Sequence, residues 1–175
     1  MILLGLSRAG KTSVGRLLAE RLGCRFYDTD ELIRIRTGLT PRELCRQSGV
    51  SALHAAEAAV LRECCGLDFA AGENCAVIAA GGGICDNAEA SAIIAAIPLR
   101  VFLYASEAAL FERLTRDALQ TGYYPAFLHF LPVDQKAEAQ RLFTELYTRR
   151  TEWYRESCNL IIDTTGLDCA AVAEK

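Results

Sequence analysis

The segment Gly5-Leu6-Ser7-Arg8-Ala9-Gly10-Lys11-Thr12 constrains this chain more than any other. It has the spacing G-x-x-x-x-G-K-[ST], and each fixed position answers a physical need. Gly5 and Gly10 reach backbone geometries closed to other residues, so successive N–H groups can turn inward on an anion. Lys11 brings a positive charge to β- and γ-phosphates, and Thr12 offers a hydroxyl to Mg²⁺. Ser7, Arg8, Ala9 and Ser13 complete the expected nucleotide-binding set. The flanks suit the motif. Met1 to Leu4 is a short apolar run that reads as a buried strand, and Val14, Leu17, Leu18 and Leu22 recur at helical spacing. A helix starting there aims its N-terminal dipole at the same anion. The segment predicts binding of a nucleoside triphosphate with Mg²⁺.

The rest of the chain alternates in the same way. Short apolar stretches at 24–27, 75–80, 99–104 and 159–163 read as strands. Helical patterns occupy 31–36, 41–47, 51–65, 87–96, 107–119 and 136–156. Gly38 and Gly49 break the second group, with Thr40 placed to cap and Pro41 to open a helical turn. Ser106 is placed to cap a later helix. Strands that are apolar throughout, alternating with helices, predict an α/β fold: a five-stranded parallel sheet covered on both faces, three layers in the order α/β/α. Residues 120–136 lose periodicity and hold Gly122, Pro125 and Pro132, which reads as a lid. At 175 residues, a single domain spanning 1–175 is expected.

Charge and cysteine content narrow the function. Lys and Arg total 19 against 22 Asp and Glu, a net charge of −3. That argues against gripping nucleic acid by bulk charge, yet leaves room for a small anion held by a few placed cations. No apolar run approaches the ~18 residues of a membrane span. The eight cysteines contain no C-x-x-C, so a zinc site is not expected. Met1-Ile2-Leu3-Leu4-Gly5 lacks the basic stretch and cleavage site of a secretory signal. The expectation is a cytoplasmic protein whose cysteines are mostly small buried hydrophobes.

Three further segments carry chemistry. Tyr27-Asp28-Thr29-Asp30 ends the second strand with two carboxylates at i and i+2, pointing the same way on an extended tip. One can face a metal while the other takes a proton or hydrogen bond from a hydroxyl; equally, both can cap the helix that follows. Gly81-Gly82-Gly83 follows a buried strand, removing side chains where a ligand would approach the backbone. Arg150-Thr151-Glu152-Trp153-Tyr154-Arg155 lies on the long last helix, where arginines are ordinarily solvated.

Taken in order, the phosphate loop, Asp-Thr-Asp-Glu-Leu-Ile, a helix with an internal Glu, Val-Ile-Ala-Ala-Gly-Gly-Gly, a lid, R-x-x-x-Tyr-Arg and a strand ending Ile-Asp-Thr resemble the shikimate kinase family over nearly the whole chain. The resemblance implies a P-loop kinase fold, substrate-binding helices at about 31–65, and transfer of phosphate from ATP, with Mg²⁺, to the 3-hydroxyl of shikimate on the route to aromatic amino acids. It implies that Lys11 stabilises the transferring group, that Thr12 and Asp28 hold Mg²⁺, and that Asp30 binds the acceptor hydroxyls as candidate base. Gly81, Gly82 and Gly83 would lie against the acceptor, Arg150 would meet its carboxylate, and Glu57 would orient a substrate-binding residue. A monomer is expected.

Two positions depart from the family pattern. The substrate helix reads Leu53-His54-Ala55-Ala56-Glu57, with His54 where an arginine would grip the carboxylate, and the lid reads Tyr123-Tyr124-Pro125 where Arg-Pro is usual. Histidine cannot make the bidentate fork, and tyrosine carries no charge. His54 and Tyr124 are therefore candidate substrate contacts, and Arg116, with Arg113 behind it, is the candidate replacement cation. Two alternatives share these residues: a related kinase with another hydroxylated acceptor, and a nucleotide-binding regulatory module without transferase activity.

Overall fold

Ile2, Leu3 and Leu4 are each 0% exposed, as consecutive residues of a strand at the middle of a sheet covered on both faces should be. The computed structural model describes residues 1–70 and 76–175. In it, β1 (Ile2–Leu4) is the central strand of a five-stranded sheet. Around it lie β2 (Arg25–Asp28), β3 (Ala76–Ala79), β4 (Arg100–Tyr104) and β5 (Leu160–Asp163), in the order β2-β3-β1-β4-β5. Every pairing is parallel: Ile2 stands opposite Ile78 on one side and Arg100 on the other. β1 thus has neighbours that come later in the chain on both sides. The order reverses there, and the crevice beyond the strand ends is where such sheets bind ligands.

Seven helices complete the described residues: α1 (Lys11–Leu22), α2 (Thr29–Thr37), α3 (Pro41–Ala70), α4 (Ala88–Ala95), α5 (Glu107–Thr121), α6 (Lys136–Ser157) and α7 (Cys169–Val172). α1 packs on β2 and β3, α6 packs on β4 and α5, and α3 packs on α2 and α4. Their ends follow local chemistry. Thr40 and Glu43 form a capping box: Glu43 N donates to Thr40 Oγ1 at 3.3 Å, and Thr40 N to Glu43 Oε2 at 2.8 Å. Ser106 Oγ accepts from Ala109 N at 3.3 Å and caps α5.

The differences from the sequence reading are local. Two helices are expected at 41–47 and 51–65, and α3 does consist of two helical parts separated at Gly49 (φ 85°, ψ 171°); what differs is that the second part runs past Cys65. α7 and a turn of 3₁₀ helix at Ile84–Asp86 are too short for periodicity to show. Of the described cysteines only Cys64 is fully buried; Cys24, Cys85, Cys158 and Cys169 sit at element ends, half-buried, where the core meets solvent. Cys75 lies outside the described residues. The segment expected to be a lid is folded, not open chain. Tyr123 bridges Pro132, Tyr124 N donates to Leu131 O at 2.8 Å, and Ala126–Leu128 forms a 3₁₀ turn. Among the described residues, no helix is long and apolar enough to cross a membrane.

Candidate active site

β1 delivers the chain straight into the phosphate loop. Gly5 has φ +142°, and a Cβ on it would stand 2.7 Å from the Leu103 carbonyl oxygen, so no other residue fits. Arg8 holds a left-handed φ of 67° without being glycine. α5 pins it there: Arg8 Nε lies 2.6 Å from Asp117 Oδ2, and Arg113 Nη1 donates to Arg8 O at 2.7 Å. Lys11 opens α1 and folds back, its Nζ donating to Gly5 O at 2.8 Å and Leu6 O at 2.9 Å. Burial pulls its pKa from 10.5 down to about 8, against the pull of Asp30 and Asp28 the other way.

The two carboxylates do not share an extended tip: β2 ends at Asp28, which caps α2, and Asp30 lies in the first turn of that helix. Asp28 Oδ1 accepts from Asp30 N (3.0 Å) and Glu31 N (3.3 Å), while its Oδ2 accepts from Thr12 Oγ1 at 2.7 Å. Asp30 faces the cleft beside it. Burial and the charge of Asp28 push its carboxyl up, and Lys11 pulls it down.

The Gly81-Gly82-Gly83 turn joins the parts of this cleft. A Cβ on Gly81 would stand 2.6 Å from Asp30 Oδ1; on Gly82, 2.5 Å from Ser7 Oγ; on Gly83, 3.2 Å from Arg150 Nη2. Each glycine removes a side chain from a different neighbour. Thr29 Oγ1 accepts from Gly81 N at 2.9 Å, and Gly82 O accepts from Arg150 Nη1 (2.8 Å) and the Tyr154 hydroxyl (3.2 Å). Arg150 is therefore not the solvated helix arginine of its pattern: it is 8% exposed and bonded to the turn.

Two residues the sequence reading passes over complete the far side. Asp86 accepts from Arg149 Nη1 at 2.5 Å and from Arg150 Nη2 at 2.7 Å. Asn87, buried, donates from Nδ2 to Glu57 Oε2 and to His54 O, both at 2.9 Å, while its Oδ1 caps α4. Burial raises the Glu57 carboxyl, with Asn87 and His54 pulling it back. His54 is half-buried one turn from Glu57, its backbone tied down by Asn87. The Asp86-Asn87 pair after a glycine run is a cap signal in hindsight, but nothing local points to the arginines sixty residues on.

Two expectations are corrected. Tyr124 is 0% exposed: its ring stacks on Phe111 at 5.8 Å and its hydroxyl meets Thr115 Oγ1 at 3.3 Å, so it anchors the lid in the core and presents nothing to the cleft. Arg116 lies on the exposed face of α5, paired with Glu112 at 2.9 Å. Arg113, on the next turn toward the loop, is the arginine of α5 that reaches the phosphate loop.

A cavity of about 400 Å³ is lined by Ser7, Arg8, Gly10, Lys11, Thr12, Ser13, Asp28, Asp30, Ala80 and Gly82. A second, of about 420 Å³, adjoins it at Thr12, Asp28 and Asp30 and extends to Arg16, Arg34 and Thr40. The Thr12 hydroxyl and an Asp28 oxygen, together at the shared wall, are the hard donors that Mg²⁺ takes in small number alongside phosphate oxygens and water. Among the described residues there is no cluster of His, Cys, Asp and Glu that would hold a metal by itself.

Comparison with known proteins gives the family. The family model described as shikimate kinase matches residues 8–175. The chain belongs to the shikimate kinase family. It is 33% identical over 163 residues to the shikimate kinase of Chromobacterium violaceum, covering 93% of this chain and 79% of that one. With the shikimate kinase of Syntrophus aciditrophicus it shares 30% identity over 176 residues, covering 100% and 87%. Among solved structures, the Acinetobacter baumannii shikimate kinase in complex with shikimate superposes with a TM-score of 0.78 at 27% identity, covering 99% of this chain and 87% of that one. Shikimate kinases are ATP-dependent phosphotransferases of aromatic amino acid biosynthesis, and this chain has their three-layer α/β/α fold.

Proposed function

We propose that this protein transfers the γ-phosphoryl group of ATP, with Mg²⁺, to the 3-hydroxyl of shikimate. The observation that carries the reading is the glycine turn: one strand end lies against the phosphate loop through Ser7, the cleft carboxylate through Asp30 and the arginine that suits an acceptor carboxylate, Arg150.

The mechanism follows from these positions. Phosphoryl transfer asks a protein for positioning and charge stabilisation more than for covalent chemistry. The loop N–H groups and the start of α1 receive the phosphates. Lys11 exchanges the Gly5 and Leu6 carbonyls for phosphate oxygens, and the anion's charge restores the proton that burial loosens. Thr12 and Asp28 would hold Mg²⁺, which supplies neutralising charge to the β- and γ-phosphate oxygens. Asp30 accepts the hydroxyl proton; its raised carboxyl makes it a stronger base than an ordinary aspartate. Arg150 meets the acceptor carboxylate, while Glu57 and Asn87 fix the end of the substrate helix that carries His54. The lid excludes water that would otherwise hydrolyse ATP.

The test is ADP release from MgATP with shikimate, gluconate and other hydroxy acids offered separately. Stimulation by shikimate of about a hundredfold over bare ATP hydrolysis is expected, as positioning of this kind supplies. Equal or greater stimulation by another acid would move the assignment to that acceptor.

A further inference from the structure

The Arg150 guanidinium, buried behind the glycine turn, is only partly used. Nη1 is spent on Gly82 O. Nη2 donates to Asp86 Oδ2 at 2.7 Å, and Nε, on the same edge of the guanidinium plane, is buried with no hydrogen-bond partner. A carboxylate laid along that edge would satisfy both nitrogens with paired, charge-assisted bonds. Asp86 does not do so, because its other oxygen goes to Arg149 Nη1 at 2.5 Å. The internal carboxylate is split between two arginines, gives Arg150 one bond and leaves a buried donor orphaned, an arrangement that costs free energy until something fills it. The two arginines also differ. The Arg150 side chain is 10% exposed and the Arg149 side chain 64%, so Arg149 can follow Asp86 outward while Arg150 stays bound to the turn.

Resting on the reading of Arg150 as the anchor for the acceptor carboxylate, we propose that Asp86 is a specificity-determining residue, an internal carboxylate that competes with the acceptor for Arg150 and yields that edge by withdrawing onto Arg149. An anionic acceptor gains two bonds where Asp86 holds one and so displaces it. A neutral analogue offers no comparable exchange. The electrostatics agree: burial works to raise the Asp86 carboxyl, yet the hydrogen bond from Arg149 and the charge of Arg150 bring it below the ordinary value, so it is a full anion at neutral pH.

Steady-state kinetics of the full chain separates the outcomes. Asp86→Asn keeps the shape and removes the charge. Its KM for shikimate falls about tenfold, the worth of one charge-assisted hydrogen bond, with the KM for ATP within about twofold. With shikimate methyl ester the same substitution leaves KM unchanged. Arg149→Gln leaves Asp86 to Arg150 alone and raises the shikimate KM several-fold, an effect that vanishes in the Asp86→Asn background. If Asp86 instead holds Arg150 in place for the acceptor, Asp86→Asn raises the shikimate KM, and that result overturns the proposal, as does an unchanged KM. Arg150→Gln separates the two layers. A raised shikimate KM there, with no gain in Asp86→Asn, defeats the competition alone; an unchanged KM in Arg150→Gln defeats the anchor reading and the competition with it.

Discussion

Replacing the three glycines of the turn by alanine, one at a time, should damage three different functions. Gly82→Ala is the severe case. Its Cβ would stand 2.7 Å from Ser7 N and 3.1 Å from Ser7 Cα, both backbone atoms, whereas ordinary contact begins at 3.4 Å. Something must move by roughly 0.7 Å, and neither side is free. Gly82 O is held by Arg150 and Tyr154, and Ser7 precedes Arg8, which Asp117 and Arg113 pin to α5. Overpacking of this kind costs ~1–3 kcal/mol, and here it falls on the loop that binds phosphate. The KM for ATP should rise about ten- to a hundredfold, with the shikimate KM changed far less. Gly81→Ala would meet Asp30 Oδ1 at 2.6 Å, the end of a side chain that can turn away; its cost should appear in kcat, because the displaced group is the proposed base. Gly83→Ala would meet only Arg150 Nη2, at 3.2 Å, and should raise the shikimate KM a few-fold. The assay is coupled ADP release with each substrate varied, alongside thermal denaturation. One shared kinetic profile for all three variants, or a normal ATP KM in a stably folded Gly82→Ala, would refute the division of the cleft drawn from these contacts.

Four further outcomes are expected. For the free enzyme, kcat/KM for ATP should fall as pH rises through about 8, where Lys11 loses its proton, and a profile flat to pH 10 would contradict its burial. The same group sets a stability slope: its folded pKa lies below the ordinary 10.5, so the unfolded chain binds more protons between about 8 and 10.5, and Lys11 makes the free enzyme more stable as pH climbs through that window, measured by denaturant titration. Asp30→Asn should lower kcat by about a hundredfold or more with little change in either KM, and retained turnover would remove its role as base. Tyr124→Phe should leave the shikimate KM unchanged, while Tyr124→Ala, which empties a fully buried ring site, should destabilise by ~3–5 kcal/mol in thermal or denaturant unfolding; a tenfold KM rise in Tyr124→Phe would return it to the cleft.

What the sequence shows well is what local physics controls. The phosphate loop needs its glycines where they stand, and the apolar runs that become β1, β3 and β4 can be buried only in a covered parallel sheet. The Gly49 bend and the Thr40 cap were equally local. The acceptor side is another matter. Tyr124 lies in a segment without periodicity, so nothing in its neighbourhood distinguishes a core anchor from a lid contact; only the fold brings Phe111 to it. The Glu112–Arg116 pair, at helical i,i+4 spacing, is by contrast a sequence signal that Arg116 is spoken for on the surface of α5. Asp86 and Asn87 acquire their roles from Arg149, Arg150, Glu57 and His54, all thirty or more residues away, and distances of that kind are set by topology alone.

The claim at the centre of this account is that the cleft between the phosphate loop and Arg150 moves phosphate onto one hydroxyl of shikimate. The most direct test is phosphorus NMR of the products formed from MgATP and shikimate by the purified protein. ADP and a single phosphate monoester on the 3-hydroxyl, formed in equal amounts, are the predicted result. ADP with inorganic phosphate and no shikimate ester, from folded protein with millimolar shikimate present, would contradict it.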